Sequence, residues 1–279
     1  MSFPHPPTLI AALYRFAPIA DLAALRAELL ALCLEHDVKG TLLIAPEGIN
    51  GTIAGPDTGI EAVVSALRGL PGCADLDVKY SRAASPPFRR TKVRIKREIV
   101  TMGQPQIDPL ATGHYIAPSA WNELISDPET IVIDTRNDYE VAVGTFAGAI
   151  DPGTRSFGEF PEWFRAHRDE LLGENPNRKV AMFCTGGIRC EKSTAFLKSE
   201  GIEQVYHLKG GILKYLEDVP EAESLWQGEC YVFDERVTVG HGLVPGHFTS
   251  CRQCGRPVEE DGSAAPDDAD CRRCPHCTG

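Results

Sequence analysis

The sequence lacks any long apolar run. The stretch from Leu29 to Leu34 near its start is far shorter than the ~20 residues a membrane-spanning helix requires. The opening Met1-Ser2-Phe3-Pro4-His5-Pro6-Pro7 has no basic region, apolar core or small-residue cleavage site of a secretory leader. These absences predict a cytoplasmic protein with no membrane partner. Positive charge is also scarce, with 28 Lys and Arg against 39 Asp and Glu and a net charge of -11. Indiscriminate nucleic-acid binding by the whole surface is therefore excluded, although a local basic patch is not. No flavin, haem or non-haem iron motif occurs, so no organic cofactor is expected, and no obligate protein partner is evident. Internal repeats and strong low-complexity bias are missing as well. At 43% hydrophobic and 24% charged residues the chain can bury real cores, and 279 residues imply two domains.

Cysteine is plentiful. Ten of them in a reducing compartment point to metal binding or thiol chemistry and away from disulfides. Cys251, Cys254, Cys271, Cys274 and Cys277 crowd into the last 29 residues, whereas Cys184 and Cys190 bracket a glycine pair. The two groups call for separate explanations.

The chain reads as α/β throughout. From residue 8 to 80 the pattern gives a strand at Ile10 to Phe16, then a helix from Asp21, a plausible N-cap, to Glu35 with apolar spacing at Leu22, Leu25, Leu29 and Leu32. Two β-type runs, Gly40 to Ala45 and Gly51 to Ala54, flank Pro46-Glu47-Gly48-Ile49-Asn50-Gly51, where Asn-Gly is a strong turn signal. A helix from Thr58 to Leu70 and a strand near Leu76 to Tyr80 complete the order βαββαβ of a ferredoxin-like sandwich, with Thr91 to Ile99 as an alternative last strand.

That last segment carries the local basic patch. Arg89, Arg90, Lys92, Arg94, Lys96 and Arg97 make six of nine consecutive residues basic. Alternation places Lys92, Arg94 and Lys96 on one face of a strand and Val93 and Ile95 on the other. A solvated edge strand protected from aggregation would show the same pattern. In an acidic protein the concentration favours contact with a phosphate backbone.

Residues 101–116 read as a linker, on Gly103, Pro105, Pro109 and Gly113. Beyond it, a helix at Ala117 to Ile125 and strands at Ile131 to Asp134, Val180 to Phe183 and Gln204 to Leu208 alternate with helices, which favours a parallel sheet. Functional groups then belong at the carboxyl ends of the strands, where Asp134, Cys184 and Lys209 fall.

Cys184 follows the apolar strand and precedes Thr185-Gly186-Gly187-Ile188-Arg189, with a helix beginning at about Cys190. Loop amides, the helix N-terminus and Arg189 would stabilise a thiolate and bind an anionic sulfur or oxygen species. An inert buried cysteine is the bland alternative. Cys190 is either a core-facing first-turn residue or a thiol that resolves or protects the species on Cys184.

The loop resembles the rhodanese pattern Cys-x-x-Gly-x-Arg, matched by Cys184, Gly187 and Arg189. Asp134-Thr135-Arg136 stands where rhodaneses carry Asp-x-Arg. Glu140 with Gly144-Thr145-Phe146-Ala147-Gly148-Ala149 is similar to their Gly-His-Ile-x-Gly-Ala segment, with Thr145 in place of His. A phosphatase loop, Cys-x5-Arg, would require Arg at 190. More narrowly, Ala45-Pro46-Glu47-Gly48-Ile49-Asn50-Gly51, Pro87-Phe88-Arg89-Arg90-Thr91-Lys92-Val93, the loop from Cys184 to Lys192, and Gly228-Glu229-Cys230-Tyr231-Val232-Phe233-Asp234-Glu235-Arg236 resemble the bacterial tRNA uridine(34) hydroxylase family across nearly the whole chain.

This resemblance implies an RNA-binding ferredoxin-like (acylphosphatase-like) α+β domain at 1–100, a rhodanese-like catalytic domain at 117–222 and a C-terminal extension at 223–279. It implies hydroxylation of the tRNA wobble uridine to 5-hydroxyuridine, with molecular oxygen as co-substrate and the anticodon region of tRNA as partner. Cys184, Gly186, Gly187, Arg189, Cys190, Asp134 and Arg136 are the expected catalytic set. A persulfide-carrying sulfurtransferase is the alternative activity, and an RNA-binding adaptor with an inert thiol loop is a third.

In the tail, Cys251-Arg252-Gln253-Cys254 and Cys274-Pro275-His276-Cys277 form C-x2-C-x19-C-x2-C, close to zinc-ribbon spacing. Structural zinc on Cys251, Cys254, Cys274 and Cys277 is expected, with Cys271 and His276 as alternative ligands and a flexible tail as the other reading.

Overall fold

The computed structural model describes residues 8–83, 86–173, 175, 177–259, 274 and 277. It comprises two compact units, Met1–Gln104 and Pro105–Gly279.

The first unit runs β1 (Thr8–Phe16), α1 (Leu22–Glu35), β2 (Lys39–Ala45), β3 (Gly48–Gly55), α2 (Asp57–Arg68), β4 (Asp77–Ala83) and β5 (Thr91–Ile95). The βαββαβ order is present, with strands arranged β4-β1-β3-β2 and β5 added beside β2 as an edge. The Asp21 side chain accepts from Ala24 N–H at 3.0 Å, so the expected N-cap forms. Leu25, Leu29 and Cys33 of α1 and Ile60, Val63, Val64 and Leu67 of α2 bury against Leu13, Leu42, Ile44 and Ile53 of the sheet. Burying such side chains contributes roughly 1.5–3 kcal/mol each, which sets the helices on this face.

The hairpin turns earlier than its Asn-Gly signal indicates. Ala45 pairs with Gly48, so Asn50 and Gly51 lie inside β3, opposite Leu43 and Leu42. Tertiary demands outweigh turn propensity here. A Cβ at Gly51 would collide with the Thr41 carbonyl oxygen, and Asn50 donates its amide to Ile99 O at 2.9 Å. Glu47 accepts from Ile99 N–H at 2.6 Å. The motif therefore pins the chain that leaves β5.

The second unit runs β6 (His114–Ile116), α3 (Pro118–Ser126), β7 (Thr130–Asp134), α4 (Asp138–Val141), β8 (Gly144–Phe146), α5 (Phe160–Leu172), β9 (Lys179–Phe183), α6 (Ile188–Ser199), β10 (Val205–Leu208) and α7 (Gly211–Asp218). Strands β6-β10-β9-β7 form one sheet whose pairings are all parallel. Residues His114 to Ile116, in the stretch expected as linker, thus belong to the sheet. Two tilted aromatic–histidine pairs, His114 with Tyr206 and Tyr115 with His207, line that pairing.

Past α7 come β11 (Trp226–Gly228), β12 (Cys230–Tyr231), β13 (Thr238–Val239), β14 (Phe248–Ser250) and β15 (Pro257–Glu259). Strand β11 pairs with β8, and Trp226, Cys230, Val232 and Val239 join the core around Trp121, Phe146 and Phe183. The stretch from Trp226 to Val239 thus shares this unit's core. Among the described residues no helix is long and apolar enough to cross a membrane.

Candidate active site

Cys184 is the first residue after β9, at the carboxyl end of the sheet, and is fully buried. Its Sγ accepts a hydrogen bond from Gly187 N–H at 3.1 Å. Gly187 is the N-cap of α6 at φ 104°, a conformation for which glycine is the default residue. Burial pushes the Cys184 thiol up. The Cys190 thiol, the Arg189 charge and the backbone amides of Cys190 and Gly187 outweigh it, and the net value is lowered to about 6. These groups favour the thiolate form of Cys184. Burial and the hydrogen bond to Cys184 hold the Cys190 thiol well above its ordinary value, so Cys190 stays protonated as the donor. Its Sγ also lies 3.7 Å from Thr135 Oγ1.

Arg189 is clamped. Its Nη1 and Nη2 donate to Glu140 Oε2 and Oε1 at 2.6 and 2.7 Å, and Nη2 reaches Thr185 Oγ1 at 3.3 Å. Burial opposes the Glu140 charge, but Arg189 holds its carboxyl below the usual carboxylate range. Glu140 also accepts from Asn137 N–H at 3.1 Å and from Thr185 Oγ1 at 3.2 Å. Bidentate pairing of this kind fixes orientation as well as charge. Arg189 thus acts on the sulfur as half of a neutral pair.

Asp134 and Arg136 are fully buried and pair through Arg136 Nε and Nη2 at 2.9 and 2.6 Å. The hydrogen bonds of Arg136 continue to the carbonyl oxygens of Glu140 and Gly144. Thr145, at the position where the rhodanese pattern has His, donates to Asp134 Oδ2 at 2.9 Å. Geometrically this pair positions α4, which carries Glu140.

The other wall is α7. Ile212 and Leu213 donate their N–H groups to the carbonyl oxygens of Cys184 and Thr185 at 3.0 and 3.1 Å. Gly211, at φ 68°, makes that approach possible, because a Cβ there would lie 2.5 Å from Cys184 O. With its carbonyls engaged outward, the loop turns amides towards the sulfur. Gly186 faces open space.

In the first unit, Arg89, Arg90, Lys92, Arg94, Lys96 and Arg97 are all exposed. Val93 is buried, but Ile95 is 45% exposed although alternation assigned it to the core face. Its position permits this, because β5 is the edge strand of the sheet. Arg26 of α1 takes the Val93 carbonyl at 3.0 Å.

In the tail, Cys251, Cys254, Cys274 and Cys277 converge with all four Sγ atoms within 4.8 Å of one another. The Cys251–Cys277 and Cys254–Cys274 sulfur separations are both 3.7 Å. A tetrahedral ion with metal–sulfur bonds of about 2.3 Å places its ligands about 3.8 Å apart, whereas a disulfide needs about 2.05 Å. The set fits a metal ion. Cys271 and His276 lie outside the described residues.

Residues 8–99 match the family described as UPF0176 acylphosphatase like domain, and residues 117–218 match the Rhodanese-like domain. The tRNA uridine(34) hydroxylase of Gluconobacter oxydans is 62% identical over 278 residues, covering 99% of this chain and 89% of the relative. That of Caulobacter vibrioides is 59% identical over 271 residues, covering 96% and 86%, and that of Mesorhizobium japonicum 58% over 277 residues, covering 99% and 88%. The chain belongs to the tRNA uridine(34) hydroxylase family.

Within this hydroxylase-family site, Cys184, Arg189, Gly187 and Cys190 are brought together as their spacing in one loop requires. Glu140, the partner of both Arg189 and Thr185, is the residue that motif reading left outside the catalytic set. Its local signal is Asn137-x-x-Glu140, a helix-start pattern whose Glu reaches back to the Asn137 amide. Gly211 likewise stands outside the loop motif, in the Lys209-Gly210-Gly211 stretch.

Proposed function

We propose that this chain is a cytoplasmic enzyme that hydroxylates C5 of uridine 34 in tRNA, with Cys184 as its nucleophile. The observation that carries this reading is a buried Cys184 sulfur that accepts the Gly187 amide beside the clamped Arg189, in a chain whose relatives are tRNA uridine(34) hydroxylases over almost their whole length. Addition of the Cys184 thiolate to C6 of uracil moves the electron pair of the 5,6 double bond to C5. C5 then takes one oxygen atom from dioxygen that an external two-electron donor has reduced to the peroxide level, and the second oxygen atom leaves as water. Loss of the C5 proton expels the thiolate and restores the double bond. Across the cycle C5–H becomes C5–OH, a two-electron oxidation, and the enzyme sulfur returns unchanged.

The residues around Cys184 hold charge in place through this cycle. The Gly187 amide and the Cys190 thiol stabilise the sulfur before addition and after expulsion, and the Arg189–Glu140 clamp keeps the loop shaped for it. The exposed row Lys92, Arg94 and Lys96, with Arg89, Arg90 and Arg97, supports contact with tRNA phosphates. Zinc on Cys251, Cys254, Cys274 and Cys277 would cross-link the chain around β14 and β15 as a structural ion.

The test compares nucleosides of tRNA from cells with the wild-type chain, with none and with Cys184→Ser. Loss of 5-hydroxyuridine and its derivatives in the latter two is expected. Loss of thiolated nucleosides instead would make the chain a sulfurtransferase, and intact hydroxylation with Cys184→Ser would sink the proposal.

A further inference from the structure

Phe233 stands out as a large aromatic side chain, 56% exposed, at the tip of a turn built to hold it there. The turn joins β12 to β13. Val232 and Val237 on either side of it are buried, and Val232 N–H bonds to Val237 O at 2.8 Å. Asp234 and Arg236 lock the tip, through Arg236 Nε and Nη2 to the two carboxylate oxygens at 2.8 and 2.6 Å and Arg236 N–H to Asp234 Oδ1 at 3.0 Å. Val237 adopts φ 62°. For a β-branched residue that is a genuine outlier, and such strain persists where the surroundings over-determine it, often at functional sites.

The exposed ring is the end of a chain of rings. Phe233 meets Tyr231 edge to face at 5.3 Å, and Tyr231 meets Tyr139 in the same manner at 5.2 Å. Tyr139 precedes Glu140 in α4, and Glu140 grips Arg189. An aromatic row therefore leads from solvent to the clamp beside Cys184.

We infer that Phe233, backed by Tyr231, is a stacking platform for an unpaired nucleobase of the RNA substrate near the base that meets Cys184. This rests on the proposed action on tRNA. Bases recognise ring faces irrespective of their identity, and a single-stranded loop offers unstacked bases that a duplex does not. A rigid turn suits the task, because a ring already held in place loses little conformational entropy on binding. The aromatic row is also the part of the Tyr231-Val232-Phe233-Asp234 motif that the thiol chemistry leaves unused.

The experiment measures binding of an anticodon stem-loop transcript containing uridine 34 to the full-length protein, without oxygen so that no turnover occurs. Phe233→Ala is expected to weaken binding roughly 5- to 150-fold, the range that loss of one stacked base gives. Phe233→Trp should restore it and report stacking by a change in fluorescence on adding the transcript. Equal affinity for wild type and Phe233→Ala overturns the platform, and so does a Trp variant as weak as the Ala variant, or a wild type that does not bind the transcript. Melting temperatures of both variants should match wild type, which separates stacking from a folding defect. A wild type that binds in a Phe233-dependent way yet fails to hydroxylate upholds the platform and sinks the proposed reaction. A wild type that hydroxylates while Phe233→Ala binds normally does the reverse.

Discussion

Glu140 holds Arg189 through both carboxylate oxygens, at 2.6 and 2.7 Å, with its own side chain fully buried. Neutralising it with Glu140→Gln leaves a buried guanidinium without its counter-charge. Breaking such a pair costs about 3–5 kcal/mol, measurable by denaturant unfolding. In the fraction that remains folded, removing an anion near Cys184 should move the thiol below about 6, read by thiolate absorbance against pH.

The lowered Cys184 value fixes a pH dependence. Hydroxylation at tRNA well below saturation, where the rate reports kcat/KM and hence the free enzyme, should rise with pH through a midpoint near 6. For stability the sign follows from the depressed folded value. Below about 6 both states are protonated and the group contributes nothing. Between 6 and the ordinary thiol range near 9 the unfolded chain binds the extra proton, so stability rises with pH, and the contribution is complete above that range. Cys190→Ala removes a hydrogen bond from the thiolate and should raise the midpoint. An unmoved midpoint would show that Cys190 does not support the charge.

Gly211→Ala tests the bracing by α7. The left-handed backbone alone costs about 1–2 kcal/mol, and the clash with Cys184 O adds to it. Stability should fall by at least that amount, with the Cys184 midpoint moving upward as the loop shifts. Gly186→Ala, facing open space, should leave the melting temperature within a degree or so.

Charge reversal at Lys92, Arg94 and Lys96 should weaken tRNA binding and flatten its salt dependence. The slope of log K against log salt should fall by about 0.7 to 0.9 for each phosphate that the protein no longer neutralises. An unchanged slope would mark β5 as a merely solvated edge.

For the cysteine cluster, elemental analysis of the purified protein should give one zinc per chain. Chelation, or Cys254→Ser, should remove it and lower the melting temperature.

Much of this was legible because periodicity reports burial. The helices with Leu25 and Leu29 or Ile60 and Val63 followed from spacing, and the apolar run Ile131 to Asp134 from its composition, within the all-buried strand Thr130–Asp134. Short segments were not. His114–Ile116 is three residues beside Gly113 and near Pro109, and only its parallel partner Tyr206–Leu208 makes it a strand. Asn50-Gly51 carries a turn signal that sheet packing overrides, since the glycine serves close strand approach and the asparagine a distant carbonyl. Ile95 fits strand alternation but is the last residue of an edge strand. In the site, Cys184 and Arg189 were readable because one loop supplies both. Glu140 lies 49 residues from Arg189, and no local pattern encodes a pairing that the sheet order creates.

Cys184 has no exposed surface. A thiolate open to water would be spent on whichever dissolved oxidant or electrophile arrived first. Enclosure protects this sulfur between encounters, and among the loop residues around it only Gly186 and Ile188 are partly exposed. Selectivity then begins before any bond is made, in what can approach through that narrow flank.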